Sequence, residues 1–245
     1  MEEVQLKLYN LDIISFTNQG LRQSNEDRSY YSQIDDNTCL LLLADGMGGY
    51  ADGHLAAEMA IEEISKYFKK GVEIDIEQKI EFAFLHAHRV IKQRLNNAGA
   101  TLGGILLTAE NIFIFWAGDI KITLLNGSNF YTSKEHTLLN VLKDAQITIK
   151  PEEISRLTNT VVRSVGGESK TYHPEIVKLE RKESFKGILY SDGMLSYFST
   201  DELFKLLAEH SYSELEKTFA SSIFNEAKDN VTGLIFLGFD KNEIC

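Results

Sequence analysis

The stretch CLLLLADG at residues 39–46 is the strongest structural signal in the chain. It is a nearly continuous apolar run that ends at an acidic residue, Asp45, and a glycine. Runs of this kind are typical of strands that are covered on both faces. Two further runs, IFIFWA at 112–117 and GLIFLGF at 233–239, have the same character. The pattern therefore predicts two packed sheets with helices on the outside.

The other strands and helices are predicted from apolar periodicity and from cap and turn residues. Strands are expected at 11–16, 29–34, 39–44, 102–108, 111–117, 120–125, 176–179, 187–190 and 231–239. Two helices are expected at 52–68 and 76–95, with Gly71 between them. Two more should begin at the capping boxes Ser199/Glu202 and Ser213/Glu216 and run to about His210 and Asn225. Asn126-Gly127 is a hairpin turn signal.

Length and composition indicate one globular domain over residues 1–245. Hydrophobic residues make up 43% of the chain and only two prolines are present, so a sizeable core can form. Residues 137–159 have a weaker pattern with scattered charge, and we predict a surface loop or flap there.

The charge balance restricts the classes of partner. The net charge of −11 argues against binding to nucleic acid or to an anionic membrane surface, because both need a basic footprint. Cys39 and Cys245 suggest no disulfide framework and no CxxC metal site. The N-terminus lacks the basic and apolar regions of a signal peptide, and a cytoplasmic protein is expected.

Acidic residues stand where the apolar strands end or begin. Asp45 follows LLLLA, Asp119 follows IFIFWAG, Asp192 follows GILYS and Asp229 precedes VTGLIFLGF. Because strand ends converge in a sandwich, these carboxylates are expected to meet, and a cluster of like charges needs a cation. Oxygen ligands alone favour Mg²⁺ or Mn²⁺ over zinc, which would recruit histidine or cysteine.

An acid of this kind taken alone, as in a single Asp-Gly pair, is better explained as a solvated turn residue than as a metal ligand. The recurrence of the same placement at four strands favours the metal site. The glycines support it, because Gly46, Gly48 and Gly49 would let backbone carbonyls approach an ion. No P-loop and no dinucleotide-binding turn is present in the sequence. The histidines stand in no metal-ligand motif and are interpreted as surface or boundary residues.

Five motifs in order resemble those of the type 2C protein phosphatases, the PPM family. They are Arg22-x-x-Asn25-Glu26-Asp27, Ala44-Asp45-Gly46-Met47-Gly48-Gly49, Gly118-Asp119, Ser191-Asp192-Gly193 and Asp229-Asn230-Val231-Thr232. The resemblance covers nearly the whole chain, and the DGMGG form is similar to the bacterial branch. It implies an α+β fold, a four-layer αββα sandwich of two antiparallel sheets flanked by pairs of helices.

The resemblance also implies an activity and a cofactor. The chain is expected to be a metal-dependent protein serine/threonine phosphatase in which a water between two Mn²⁺ or Mg²⁺ ions attacks the phosphorus atom. Asp45 would bridge the ions, the Gly46 carbonyl would bind one of them, and Asp192 and Asp229 would hold the other. The expected partners are phosphorylated proteins, substrates of a serine/threonine kinase.

Three more side chains have roles by the same resemblance. Arg22 would grip the substrate phosphate, for which a bidentate guanidinium is well shaped. Glu26 would hold metal-bound water, and Asp27 and Asn230 would support the site from behind.

The sequence departs from the family pattern near the site. Gly118-Asp119-Ile120-Lys121 stands where members often read GDSR, and Glu135-His136 stands where they have a DH pair. A third ion through Asp119 is expected to be weak, because Ser196 replaces an acid that some members carry. Met47 cannot donate a proton, so protonation of the leaving group would come from water or from another residue.

Two rival hypotheses stay open on the sequence. A pseudophosphatase would bind phosphoproteins without turnover, and the retention of Arg22, Asp45, Asp192 and Asp229 argues against it. A domain in which the metal is only structural is the other hypothesis, but it leaves Arg22 without a role.

Overall fold

The computed structural model describes residues 10–47, 51–70, 74–95 and 97–239. Gly48, Gly49, Gly71 and Cys245, on which some predictions fall, lie outside these ranges. No helix within them is long and apolar enough to cross a membrane.

In the described ranges, eleven strands form two antiparallel sheets. The first sheet, in spatial order, contains β1 (Asn10–Asn18), β11 (Val231–Phe239), β10 (Ser184–Tyr190), β6 (Lys121–Asn126) and β7 (Asn129–Thr132). The second contains β2 (Asp27–Asp35), β3 (Thr38–Met47), β4 (Gly99–Leu107), β5 (Asn111–Ala117) and β9 (Glu175–Glu180). The two-residue strand β8 (Val165–Gly166) pairs with β4.

Six α-helices accompany the sheets in the described part of the chain. They are α1 (Ala51–Lys69), α2 (Ile76–Arg94), α3 (Leu138–Asp144), α4 (Ile154–Thr158), α5 (Thr200–Glu209) and α6 (Tyr212–Thr218). Short 3-10 turns cover Pro151–Glu153, Asp192–Ser196 and Ser221–Phe224.

Strand β3 shows how the layers are built. Leu41 and Leu43 point into the core between the sheets, whereas Leu40 and Leu42 point into the core beneath α1 and α2. All four leucines are completely buried, which stabilises the fold by about 1.5–3 kcal/mol for each side chain.

A third apolar core lies on the far side of the first sheet. It joins β10 and β11 to α5 and α6 through Ile188, Ile235, Leu203, Leu207 and Leu215, among others. Three cores separate four layers, so the predicted αββα sandwich is confirmed.

One of the two predicted capping boxes is confirmed, and the other is wrong. The capping box of Ser199 with Glu202 is present and opens α5. The prediction of a box at Ser213 with Glu216 is wrong, because Ser211 caps α6 and pairs with Glu214. The sequence contains overlapping Ser-x-x-Glu patterns, and the earlier one forms the cap. The helix also ends at Thr218 rather than near Asn225, and a 3-10 turn follows.

Two further predictions concern the hairpin turn at Asn126-Gly127 and the loop or flap at residues 137–159. The Asn126-Gly127 turn signal is confirmed, because β6 and β7 form a hairpin in which Asn126 pairs with Asn129. Strand β7 itself was not predicted, since its side chains are mostly exposed. The segment predicted as a loop or flap contains α3 and α4, each of which buries one leucine, Leu139 and Leu157.

Candidate active site

Three of the four acids singled out in the sequence meet at one end of the sandwich. Asp45 lies near the end of β3, opposite Asp27 of β2 in the strand register. Asp192 directly follows Ser191 after β10, and Asp229 lies just before β11. Because β10 and β11 are antiparallel neighbours, the end of one lies beside the start of the other. The two sheets therefore contribute acids to the same edge.

These acids line a cavity of about 440 Å³. Its wall consists of Arg22, Gln23, Ser24, Glu26, Asp45, Gly46, Asp192, Asp229 and Asn230. Seven of the predicted site residues therefore lie on one surface, although Arg22 and Asp229 are far apart in sequence.

Close packing leaves no room for a side chain at Gly46, whose carbonyl is also the predicted metal ligand. A Cβ atom at this position would lie 2.1 Å from the Gly53 carbonyl oxygen. Gly53 is in turn close to Glu26, since a Cβ there would lie 2.4 Å from Oε2 of that side chain. The first turn of α1 thus packs against β3 and Glu26 without room for a side chain.

Asn230 ties together the loop that carries Arg22 and Glu26. Its Oδ1 accepts a hydrogen bond from the Glu26 backbone N–H at 3.0 Å. Its Nδ2 donates to the backbone oxygens of Gln19 at 2.8 Å and Ser24 at 3.0 Å. With 7% of its surface exposed, this amide is fixed in place and holds the loop beside Asp229.

Asp27 lies behind the cavity and is only 3% exposed. Its Oδ2 accepts a hydrogen bond from the Ser191 hydroxyl at 2.7 Å, and that hydroxyl accepts one from the Thr232 N–H at 3.0 Å. Burial raises the pKa of Asp27 to about 7, and the charges of Asp192 and Asp229 add to the rise. These contacts link the two sheets.

Arg22 stands at the rim of the cavity with its side chain 57% exposed. Its Nη2 donates to Asp229 Oδ2 at 2.6 Å, and this hydrogen bond is the main reason why the pKa of Arg22 is raised. An exposed guanidinium in this position can reach an anion that enters the cavity.

A model of the family described as protein phosphatase 2C matches residues 20–226, which is most of the chain. The chain belongs to the protein phosphatase 2C family. It is accordingly a metal-dependent serine/threonine protein phosphatase, a hydrolase.

The chain is also similar to individual proteins and solved structures. Protein phosphatase PhpP of Streptococcus pneumoniae is 25% identical over 193 residues, covering 74% of this chain and 78% of that protein. A serine/threonine phosphatase structure from S. agalactiae superposes with a TM-score of 0.79 at 20% identity, covering 94% of this chain and 100% of that one. The catalytic domain of the phosphatase PstP, solved with two manganese ions, gives a TM-score of 0.77 at 25% identity, covering 95% and 100%.

The electrostatics of the phosphatase cavity favour a bound cation. Burial raises the pKa of Asp45 well above its usual range, and Asp27, Asp119, Asp192 and Asp229 add to the rise. Desolvation by the surrounding protein and the charge of Asp229 likewise raise the pKa of Asp192. Carboxylates that disfavour one another's charge are stabilised when a divalent ion enters between them.

A buried hydroxyl, that of Thr101, lies beside these acids. Thr101 of β4 pairs with Asp45 in the strand register and is 1% exposed. Its Oγ1 lies close enough to Asp119 to lower the pKa of that carboxyl, but it is not in hydrogen-bonding geometry with any described group.

The oxygen atoms that line the cavity are of the type that binds Mg²⁺ or Mn²⁺, but the side chains do not form a complete set of ligands around one point. Within the described ranges, no three histidine, cysteine, aspartate or glutamate side chains could ligate one ion as they stand. The pair between Arg22 and Asp229 occupies one carboxylate oxygen of Asp229. Carboxylate and backbone oxygens of this kind suit Mg²⁺ or Mn²⁺.

Asp119 does not line this cavity. It lines a neighbouring groove, which it shares with Asp192, Asp229 and Ser196. Burial raises the pKa of Asp119 to about 7, with a further contribution from Asp192. Asp119 therefore lies in the groove rather than in the cavity, and the weak third ion at this residue stays a prediction.

Three features of the site were not predicted. They are the buried hydroxyl of Thr101, the link from Ser191 to Thr232, and an ion pair between Lys121 and Glu135 at the groove. Lys121 and Glu135 are two of the positions at which the sequence departs from the family pattern, and their contact could have been suspected from their opposite charges.

Proposed function

We propose that this phosphatase removes phosphate from phosphoserine and phosphothreonine residues of proteins, with the phosphate bound in the cavity of about 440 Å³. One observation carries the proposal. Acids from both sheets and one exposed arginine line a single cavity, which provides oxygen ligands for cations beside a donor for an anion. The expected substrates are proteins phosphorylated by a serine/threonine kinase.

The metals proposed are Mn²⁺ or Mg²⁺, two of them, with a weak third near Asp119. Asp45 would bind both ions, the Gly46 carbonyl one of them, and Asp192 and Asp229 the other. The PstP structure, solved with two manganese ions, supports this number and the choice of manganese. When bound, such ions polarise the phosphoryl oxygens and lower the pKa of a shared water to about 7.

Arg22 binds and orients the phosphate in this proposal. Its guanidinium leaves Asp229 and turns to two phosphate oxygens, a short movement at an exposed rim. Glu26 and Asn230 keep the loop in position, since Asn230 bonds to the backbone on both sides of Arg22. Charge that develops on the phosphoryl oxygens would then lie against a cation whose loop is held in place.

The leaving group needs a proton from elsewhere. Met47, at the end of β3, has no proton to give. The described side chains that line the cavity include no histidine, lysine or tyrosine. Glu26 is the one group there whose pKa is raised mainly by burial and which does not stand in the proposed ligand set. We therefore assign the proton to water held near Glu26.

Hydrolysis of p-nitrophenyl phosphate and of a phosphothreonine peptide, with Mn²⁺ and with EDTA, tests the proposal. Asp45→Asn should lower kcat/KM by more than the ~10–100-fold that is common for residues behind the ligands. Asp36→Asn, an exposed acid in the turn between β2 and β3, is the matched control and should change nothing. Phosphopeptide binding without turnover in the presence of Mn²⁺ would instead support the pseudophosphatase.

A further inference from the structure

A second cavity of about 500 Å³ opens beside the phosphate cavity. The two share Asp192 and Asp229, so they are continuous at the reaction centre. One wall of the second cavity, which we call the groove, is formed by α3, and the other by the 3-10 turn Asp192–Ser196 and the residue before Asp229. The groove side chains that matter here are Leu139, Asn140, Lys143, Leu195, Ser196 and Lys228.

The lining of this groove includes two lysines that have no ion-pair partner in the described part of the chain. Lys143 and Lys228 are exposed, and neither makes an ion pair with any residue in the described ranges. Nearby lysines differ in this respect, because Lys134 pairs with Asp144 and Lys121 pairs with Glu135.

The inner part of the groove is acidic, but its charge is taken up by the proposed cations. Two divalent ions would offset the carboxylates of Asp45, Asp119, Asp192 and Asp229. Arg22 would then face the phosphate, and the two groove lysines would remain as uncompensated charges on a protein whose net charge is −11. Such isolated positive charges attract an acidic group locally and at short range.

The groove lining also includes two leucines. Leu195 is 42% exposed, and Leu139, 7% exposed, lies on the facing helix. The Asn140 amide donates to the Glu135 backbone oxygen at 2.8 Å, which fixes the first turn of α3 as the groove wall. A groove that opens onto the phosphate cavity and exposes a leucine and two lysines fits an extended peptide rather than a small ion.

We propose that this groove binds the part of the substrate polypeptide next to the phosphorylated residue, and that Lys143 and Lys228 select acidic side chains there. The inference rests on the proposed function, because the phosphate must occupy the neighbouring cavity. A small phosphoester fills that cavity without entering the groove. The groove therefore distinguishes protein substrates from one another, while the metals and Arg22 act on all phosphoesters alike.

The test compares phosphothreonine peptides that carry aspartate, alanine or lysine at each of the three positions on either side of the phosphorylated residue. Wild-type protein with Mn²⁺ should show kcat/KM about two- to five-fold higher for aspartate than for alanine on one side, as is typical for one exposed ion pair. The gain should appear in KM and should shrink as salt rises from 0.05 to 0.5 M, values at which the screening length falls from about 14 to about 4 Å.

Lys143→Glu is the decisive variant, because it lies on α3 and outside the proposed ligand set. It should reverse the preference, lowering kcat/KM for the aspartate peptide about five- to ten-fold and raising it for the lysine peptide. The effect on p-nitrophenyl phosphate should be much smaller. Lys228→Glu should act in the same direction. Lys92→Glu, an exposed position on α2 in the other helix layer, is the matched control and should behave as wild type.

Two results would overturn the groove assignment. One is equal peptide preferences in Lys143→Glu, Lys92→Glu and wild type. The other is a loss on p-nitrophenyl phosphate as large as the loss on the aspartate peptide, which would place Lys143 at the reaction centre. An absence of Mn²⁺-dependent hydrolysis of p-nitrophenyl phosphate by wild type would instead refute the proposed function.

Discussion

Replacing Asn230 by alanine removes three hydrogen bonds from one buried amide. The partners are the Glu26 N–H and the backbone oxygens of Gln19 and Ser24. Each such bond contributes about 1 kcal/mol to stability, so the loss is about 3 kcal/mol. For a chain of this length each kcal/mol corresponds to about 2–4 °C in Tm, which predicts a decrease of about 6–12 °C.

Thermal unfolding in EDTA measures this decrease without a contribution from metal. Asn225→Ala is the matched control, because its side chain accepts one exposed hydrogen bond from Asn18, and its Tm should change by no more than about 2 °C. The same loop carries Arg22, so Asn230→Ala should also raise KM for p-nitrophenyl phosphate at a temperature where the protein is folded. A Tm within 2 °C of wild type would refute the assignment of Asn230 as the residue that holds the loop.

Two further predictions concern charge at the site. Arg22→Ala should tighten Mn²⁺ binding about two- to five-fold, as measured by calorimetry, because Arg22 competes for Asp229 through a partly exposed ion pair. The same variant should raise KM for the phosphoester substrate. Weaker Mn²⁺ binding would contradict this prediction. In EDTA, Asp119 has a folded pKa of about 7 against an ordinary value of 3.8, so its contribution to stability is lost as pH rises from about 4 to 7. The Tm of wild type minus that of Asp119→Asn should therefore fall over this range, and a rise would contradict the account. Saturating Mn²⁺ should abolish this pH-dependent decrease in the Tm difference. The comparison cancels the opposite trend of His88 and His136, whose pKa values burial lowers.

Much of the fold could be predicted because burial on both faces leaves a strong pattern. The apolar run at 39–44 lies within β3, and the predicted strand at 231–239 has the bounds of β11. Strand β7 escaped prediction because exposed residues on a sheet edge carry no such pattern. The start of α6 was misplaced because two overlapping Ser-x-x-Glu patterns satisfy the same capping rule.

The candidate site was predictable in its residues but not in its contacts. Acids at strand ends identified Asp45, Asp192 and Asp229, and the structure places all three on one cavity. The pair of Arg22 with Asp229 and the bonds of Asn230 join segments about 200 residues apart, and no local pattern specifies them. The roles of these residues in binding metal and phosphate stay predictions.

The most direct measurement of the central claim is anomalous diffraction at the manganese edge from crystals of the wild-type protein grown with Mn²⁺. The account predicts two strong peaks in the cavity, one contacted by Asp45 and the Gly46 carbonyl and the other by Asp45, Asp192 and Asp229, with Arg22 released from Asp229. Manganese bound elsewhere, or a cavity without manganese in an active enzyme, would contradict it.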